Sequence, residues 1–214
     1  MTAALATRER WAELWSRQAT ALDGAELYAN VAAAYCAPER HYHTLAHVSR
    51  CLAHFDAHRE LAVHADEVEM ALWLHDIVYH SHAVDNEAQS AEWAETMLLR
   101  GGAAEAVARR VHALVLATRH SGPALSGDAA LTADIDLAIL AAEPAELVAY
   151  ERGVRLEYAW VPDAVFQRER ARVLTALAGR PFLYHTAELR KELEERARAN
   201  TADLVARLSE GRAL

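Results

Sequence analysis

Apolar residues recur at helical spacing along the whole chain. In residues 7–22, Trp11, Leu14, Trp15 and Leu22 share a face, and in 25–37 Leu27, Val31 and Tyr35 do. This is the i, i+3, i+4, i+7 pattern of a half-buried helix. Pro38 predicts a stop to the second segment, because proline disfavours the α region in the residue before it. A third helix is expected from the RHYHT segment to about residue 59, with Leu45, Val48, Leu52 and Phe55 turned inward. Segment 66–80, containing VEMALWLHDIVY, has too few polar positions for a surface helix and predicts a central, buried one. Asp85-Asn86-Glu87 supplies cap and first-turn chemistry for the next helix, and Gly101-Gly102 closes it. Further helices are expected over 103–119, 128–142, 144–159 with Pro144 in the first turn, from Pro162 onward, and over 186–210, with SGPALSGD as a loop. No segment alternates with the period of two that a half-buried strand needs. The pattern predicts an all-α fold in a single domain spanning residues 1–214, without linkers, repeats or low-complexity tracts.

Composition supports this reading and narrows the partners. Alanine, the strongest helix former, supplies much of the 53% hydrophobic content, and eight glycines and five prolines are too few for a hairpin-rich β fold. A chain of 214 residues is long enough to close one core. The net charge of -9 argues against a nucleic-acid polymer as partner, since such binding runs on basic patches. It leaves room for a small phosphorylated ligand, which needs only a local cationic pocket. No apolar run approaches the roughly 20 residues of a membrane span. The N-terminal MTAALATRERWAELW turns charged before a signal-peptide core can form. Cys36 and Cys51 make no CxxC motif. These features predict a cytoplasmic protein with reduced thiols and no membrane partner, a monomer or a homodimer.

The candidate chemistry lies in three stretches. RHYHTLAHV, residues 40–48, puts three histidines in nine positions, with Arg40 opening it. His43 and His47 stand four apart, so they share a face if the helix has begun by residue 43. His75-Asp76 falls within an apolar helix, where an aspartate is costly to bury without a cation or strong donors. Imidazole with carboxylate is a ligand pair suited to a divalent metal. In LTADIDLAIL, Asp134 and Asp136 are two apart and point to nearly opposite sides of a helix. Asp136, directly before the apolar run, is the better candidate.

The H…HD…D arrangement on separate helices resembles the HD superfamily of metal-dependent phosphohydrolases. It is most similar to a bacterial family of predicted HD phosphohydrolases of about this length. The matching segments are RHYHTLAHV, LHDIVY, DNEAQSA, ATRH, DIDLAIL, YERGVRLEY and ARANTADL, from about residue 40 to 205. The resemblance implies an HD-domain helical bundle with its metal-site core at about 40–160 and C-terminal helices 162–210 packing on it. A more distant resemblance, to cyclic-nucleotide phosphodiesterases, implies roles. His47, His75, Asp76 and Asp136 become the metal ligands and His43 the general acid, with Asp76 also at the reacting centre. It implies at least one divalent metal, with Mn, Mg, Co, Ni, Zn and Fe not distinguished and a second metal allowed. The implied reaction is in-line attack of metal-activated hydroxide on a small phosphorylated substrate, a nucleotide being the leading candidate.

Some HD nucleotidases read HDxxE, where this chain has Tyr79, and Glu87 is then the candidate to position water. Arg40, Asn86, His120, Arg155 and Tyr158 are the candidate substrate contacts, an arginine beside a metal site being a natural phosphate clamp. Arg155 and Tyr158 equally suit a local helical ion-pair network, and Arg170 is a weaker clamp candidate. His120 also suits a second-metal ligand or a helix cap. His80 and His82 read as loop residues, and His41, His54, His58, His64, His112 and His185 as surface ones. Two rival classes remain, an HD-domain di-iron oxygenase using the additional histidines and a non-catalytic metal-containing sensor.

Overall fold

The computed structural model describes residues 5–19 and 21–211, so residues 1–4 of the N-terminal segment, position 20 of the first predicted helix and residues 212–214 lie outside it. Among the described residues there are ten α-helices and no strand, the all-α class the periodicity predicts. Two compact units make up the chain, Met1–Asp136 and Leu137–Leu214. The division falls after Asp136, whereas the sequence reading set the metal-site core at about 40–160.

The first unit holds seven helices: α1 (Arg8–Gln18), α2 (Gly24–Tyr35), α3 (Leu45–Ala57), α4 (Ala65–Leu74), α5 (Asn86–Arg100), α6 (Glu105–Ala117) and α7 (Gly127–Asp136). Side-chain oxygens start the first three: Thr7 accepts from Arg10 N, Asp23 from Ala25 N and Thr44 from Ala46 N, the donors that a helix start leaves unpaired. The core is aromatic where α1 meets α4. Trp11 stacks on Trp15 at 5.7 Å and meets Trp73 edge-on at 5.4 Å, and the Tyr35 hydroxyl donates to the Trp73 carbonyl at 2.8 Å. Gly101 is required where it stands, since a Cβ there would lie 2.5 Å from Cζ2 of the buried Trp15. Every residue of α4 from Glu67 to Leu74 is buried, as its composition predicts.

Helix limits differ from the periodic reading where chemistry is concerned. The third helix begins at Leu45, so His43 lies before its Thr44 cap and not on its first turn. Helix α4 ends at Leu74 rather than near residue 80, which places His75 and Asp76 in the turn that follows. Likewise α7 ends at Asp136 and a short 3-10 turn, Leu137–Ala141, replaces the rest of the predicted helix. The first helix stops at Gln18 because Ala19 is extended, and Leu22 falls outside it.

The second unit comprises that 3-10 turn and α8 (Pro144–Glu157), α9 (Asp163–Ala178) and α10 (Ala187–Ser209). Helix α10 buries Leu189, Leu193, Ala197, Leu204 and Leu208 along one face, and Asn200 Nδ2 donates to the Leu140 and Ala142 carbonyls at 2.8 and 3.0 Å. Arg170 donates to both oxygens of the fully buried Glu151 carboxylate, at 3.1 and 2.6 Å, and to the Tyr150 hydroxyl. Its charge is matched inside this unit. Removing one partner of a buried pair leaves an uncompensated charge, so Arg170→Met should destabilise the fold by about 3–5 kcal/mol. Urea unfolding of wild type and variant measures this, and a loss within error of zero would show the pair to be dispensable.

Candidate metal centre

Three segments of the first unit bring nitrogen and oxygen donors to one place. His47 is three residues into α3, His75 and Asp76 form the turn after α4, and Asp136 ends α7. The turn at His75 is built by side chains remote in sequence. Arg40, 8% exposed, donates to the Asp76 carbonyl at 2.6 Å, to Ile77 O at 3.0 Å and to His43 O at 3.2 Å. Ser90 Oγ accepts from Val78 N and donates to Val78 O, both at 3.1 Å. Those backbone groups find partners outside the helical ladder, which is why α4 can stop amid apolar sequence.

The donor atoms lie close together. The two Nε2 atoms of His47 and His75 are 3.0 Å apart. Asp136 Oδ1 is 3.1 Å from His47 Nε2 and 3.4 Å from His75 Nε2, and Asp76 Oδ2 is 3.0 Å and 3.7 Å from His75 Nε2 and His47 Nε2. Atoms about 2.1 Å from a shared metal are about 3.0 Å apart along an octahedral edge and about 3.4 Å along a tetrahedral one. These separations have the size of coordination edges. His75 Nδ1–H donates to the Leu72 carbonyl at 3.0 Å, so Nε2 is the nitrogen turned to the cluster, as in ligating histidines.

Charge points the same way. Burial pushes the Asp76 carboxyl up, but the His75, His43 and His47 rings outweigh it and hold the group below its ordinary range. For Asp136, burial is outweighed by His75 and by hydrogen bonds from His120 and His47, which hold it well below that range. Burial would lower His75, yet the Asp76 and Asp136 carboxylates raise it well above an ordinary imidazole, while at His47 burial prevails and lowers it. The two carboxylates create a field that draws a cation to the Nε2 atoms, and a divalent ion answers it more fully than one proton.

Cys51 is the residue the sequence reading missed. It lies one turn after His47 on α3, and His47, Cys51, His75 and Asp136 form a buried group whose ligand atoms all lie within 4.8 Å of one another and could hold a metal ion. The signal was there: a cysteine four residues after a histidine on one helix shares its face. Its Sγ is 3.8 Å from both ring nitrogens of His47, so it packs against the ring and not in line with either nitrogen. Burial raises the thiol well above its usual value, with Asp136 adding to the effect.

The other candidates fall around this cluster or away from it. The His43 ring is centred 6.1 Å from that of His47 and stacks on Tyr79 at 4.1 Å. Tyr79 thus supplies a ring that seats His43. Asp134 is fully buried, and Asp136 is the aspartate of that pair that reaches the cluster. His120 Nε2 lies 2.8 Å from Asp136 Oδ2. Glu87 stands in the first turn of α5, with no hydrogen bond or ion pair tying it to the cluster. Asn86 binds the backbone of His80, accepting from its N–H at 2.9 Å and donating to its carbonyl at 3.0 Å. His80 and His82 are exposed, whereas His58, expected at the surface, is 8% exposed and hydrogen-bonded to the His54 carbonyl. Arg155 and Tyr158 belong to the second unit, where Arg155 donates to the Tyr158 and Val161 carbonyls and pairs with Asp163. Of their two readings, the structure supplies the partners for the local one.

No family model matches this chain, and neither do any curated protein or solved structure. No helix among the described residues is long and apolar enough to cross a membrane.

The geometry yields a direct expectation. His75→Ala and Asp136→Ala should each weaken Mn(II) or Co(II) binding at least about 100-fold, because each removes one charged or imidazole donor from a site of few. Equilibrium dialysis with elemental analysis measures it, and wild-type metal content in both variants would discard the centre.

Proposed function

We propose that the chain is a metal-dependent phosphohydrolase acting on a phosphate ester of a small molecule, such as a nucleotide. The observation that carries this reading is the convergence of two imidazole Nε2 atoms and two aspartates at 3.0–3.7 Å. The resemblance to the HD phosphohydrolases agrees with it. His47, His75, Asp76 and Asp136 would hold a divalent ion, with charges that would balance: two neutral rings, two carboxylates and one dication. Such an ion withdraws charge from a phosphoryl oxygen and makes water acidic near neutral pH.

The chain's own residues then divide the work. Arg40 locks the His43 segment to the His75–Asp76 turn through three backbone carbonyls, so donor and acid keep a fixed spacing. His43, held by its stack on Tyr79, gives a proton from its imidazole to the leaving oxygen. The buried position of His47 and His75 keeps bulk water from their ring nitrogens. This reading uses neither Glu87 nor Arg155.

A screen of phosphomonoesters and phosphodiesters with Mn, Mg, Co and Fe tests it. Metal-dependent release of phosphate or a nucleoside monophosphate is expected. Metal binding without turnover of any ester would instead make the protein a sensor, and oxygen-dependent turnover by a bound iron pair would make it an oxygenase.

The role of His43 has its own test. General acid catalysis contributes about 10²–10⁴-fold, so His43→Ala should lower turnover of an alkyl phosphate ester by about that factor. The loss should shrink for a p-nitrophenyl ester, whose leaving group needs little protonation, while metal content stays at the wild-type value. Equal losses on both esters would assign His43 to substrate positioning, and loss of metal would make it a ligand.

Asp76 and Cys51 compete for the fourth donor position. Asp76→Asn should weaken Co(II) binding more than about tenfold and Cys51→Ala less than that. Cobalt-loaded wild type should lack the near-ultraviolet charge-transfer band of a thiolate ligand. A band that disappears in Cys51→Ala would give the position to sulfur.

A further inference from the structure

His120 is the one described non-glycine residue with positive φ, at 51°. Helix α6 has ended at Ala117, Thr118 is its αR cap, and the chain then reaches His120 through long bonds from Arg119 N to Leu116 O at 3.3 Å and from His120 N to Ala117 O at 3.4 Å. Glycine adopts this left-handed conformation freely, and histidine does so only against the clash of its Cβ with the backbone. The chain has glycines nearby for such turns, Gly122 at φ 116° and Gly127 at φ 56°, yet position 120 carries an imidazole. A strained backbone persists where the surroundings over-determine it, and such positions gather at functional sites.

The side chain shows what the strain secures. His120 Nε2 is 2.8 Å from Asp136 Oδ2, and both side chains are 16% exposed. The other oxygen of that carboxylate, Oδ1, is the one that faces His47 Nε2 and His75 Nε2 at 3.1 and 3.4 Å. Asp136 is the last residue of α7, followed by a 3-10 turn, so its own helix fixes its side chain weakly. One oxygen is held from behind and the other is presented to the cluster.

We infer that His120 is a positioning residue: the left-handed turn after α6 aims its Nε2–H at Asp136 Oδ2 and thereby sets Asp136 Oδ1 in the metal site. The inference rests on the metal reading of the cluster. It differs from the roles of substrate contact, second-metal ligand and helix cap, because the imidazole acts through the Asp136 carboxylate. Partners that orient a ligand in this way typically change metal affinity 10–100-fold when removed.

The test uses two variants that both accept the backbone conformation, His120→Gly and His120→Asn, in the full chain. Isothermal titration with Mn(II) or Co(II) is paired with thermal unfolding of the metal-free proteins. Affinity should fall about 10–100-fold in His120→Gly, with His120→Asn intermediate if its amide still reaches the carboxylate. The cobalt ligand-field spectrum should change shape as Asp136 is released. The metal-free melting temperature should stay within about 4 °C of wild type, since strain relief and the lost hydrogen bond oppose each other. Unchanged affinity and spectrum in both variants would overturn the inference and leave the metal centre standing. A fall in metal-free stability as large as the loss of affinity would make His120 merely structural and overturn it. So would loss of one of two bound equivalents, which would make His120 a ligand. Absence of Mn(II) or Co(II) binding by the wild type would overturn the metal reading itself, and this inference with it.

Discussion

Two aspartates and two imidazoles meet in an interior where they are 1–16% exposed. Neither carboxylate could be held there by its own helix or loop without severe desolvation. The rest of the first unit supplies their partners piecemeal: His120 is hydrogen-bonded to Asp136, and His75 faces both carboxylates. The two Nε2 atoms and both carboxylates converge on one point, and keeping them together there is what the fold must achieve. That requirement orders the surrounding structure, from the stop of α4 at Leu74 to the strained turn at His120.

Arg40 shows how the scaffold meets this requirement without adding charge to the site. Its guanidinium lies over the Tyr35 and Tyr79 rings at 5.0 and 5.6 Å and gives its hydrogens to three backbone carbonyls. It therefore fixes two loops relative to each other from beneath, as a clamp on the backbone. Tyr79 takes part twice, its ring meeting both the Arg40 guanidinium and the His43 imidazole. A glutamate at position 79 could do neither, since both contacts need an aromatic ring.

Much of this was legible in the residue pattern because helix faces and ligand types repeat at fixed spacings. The buried α4 and the loop of residues 121–126 were readable from the pattern, and Asp136, preferred because it precedes an apolar run, is the aspartate that meets His47. What periodicity could not show were endings set by long-range hydrogen bonds. Nothing in LWLHDIVY marks a stop, because Arg40 and Ser90 make it from 37 and 12 residues away. Whether α3 had begun by His43 was open in the pattern, and the Thr44 cap settles it by leaving His43 outside. Cys51 was overlooked because a buried thiol reads as an ordinary apolar residue, although its spacing from His47 was available. The jobs of Arg40 and His120 depend on a carbonyl or carboxylate that only folding brings near.

The central claim is that one divalent ion sits where His47, His75, Asp76 and Asp136 converge. X-ray absorption at the metal edge of the cobalt- or manganese-loaded protein reads that shell directly. The account predicts a shell of nitrogen and oxygen only, with two imidazoles that fall to one in His75→Ala. A sulfur scatterer in the shell, or an imidazole count unchanged in that variant, would contradict it.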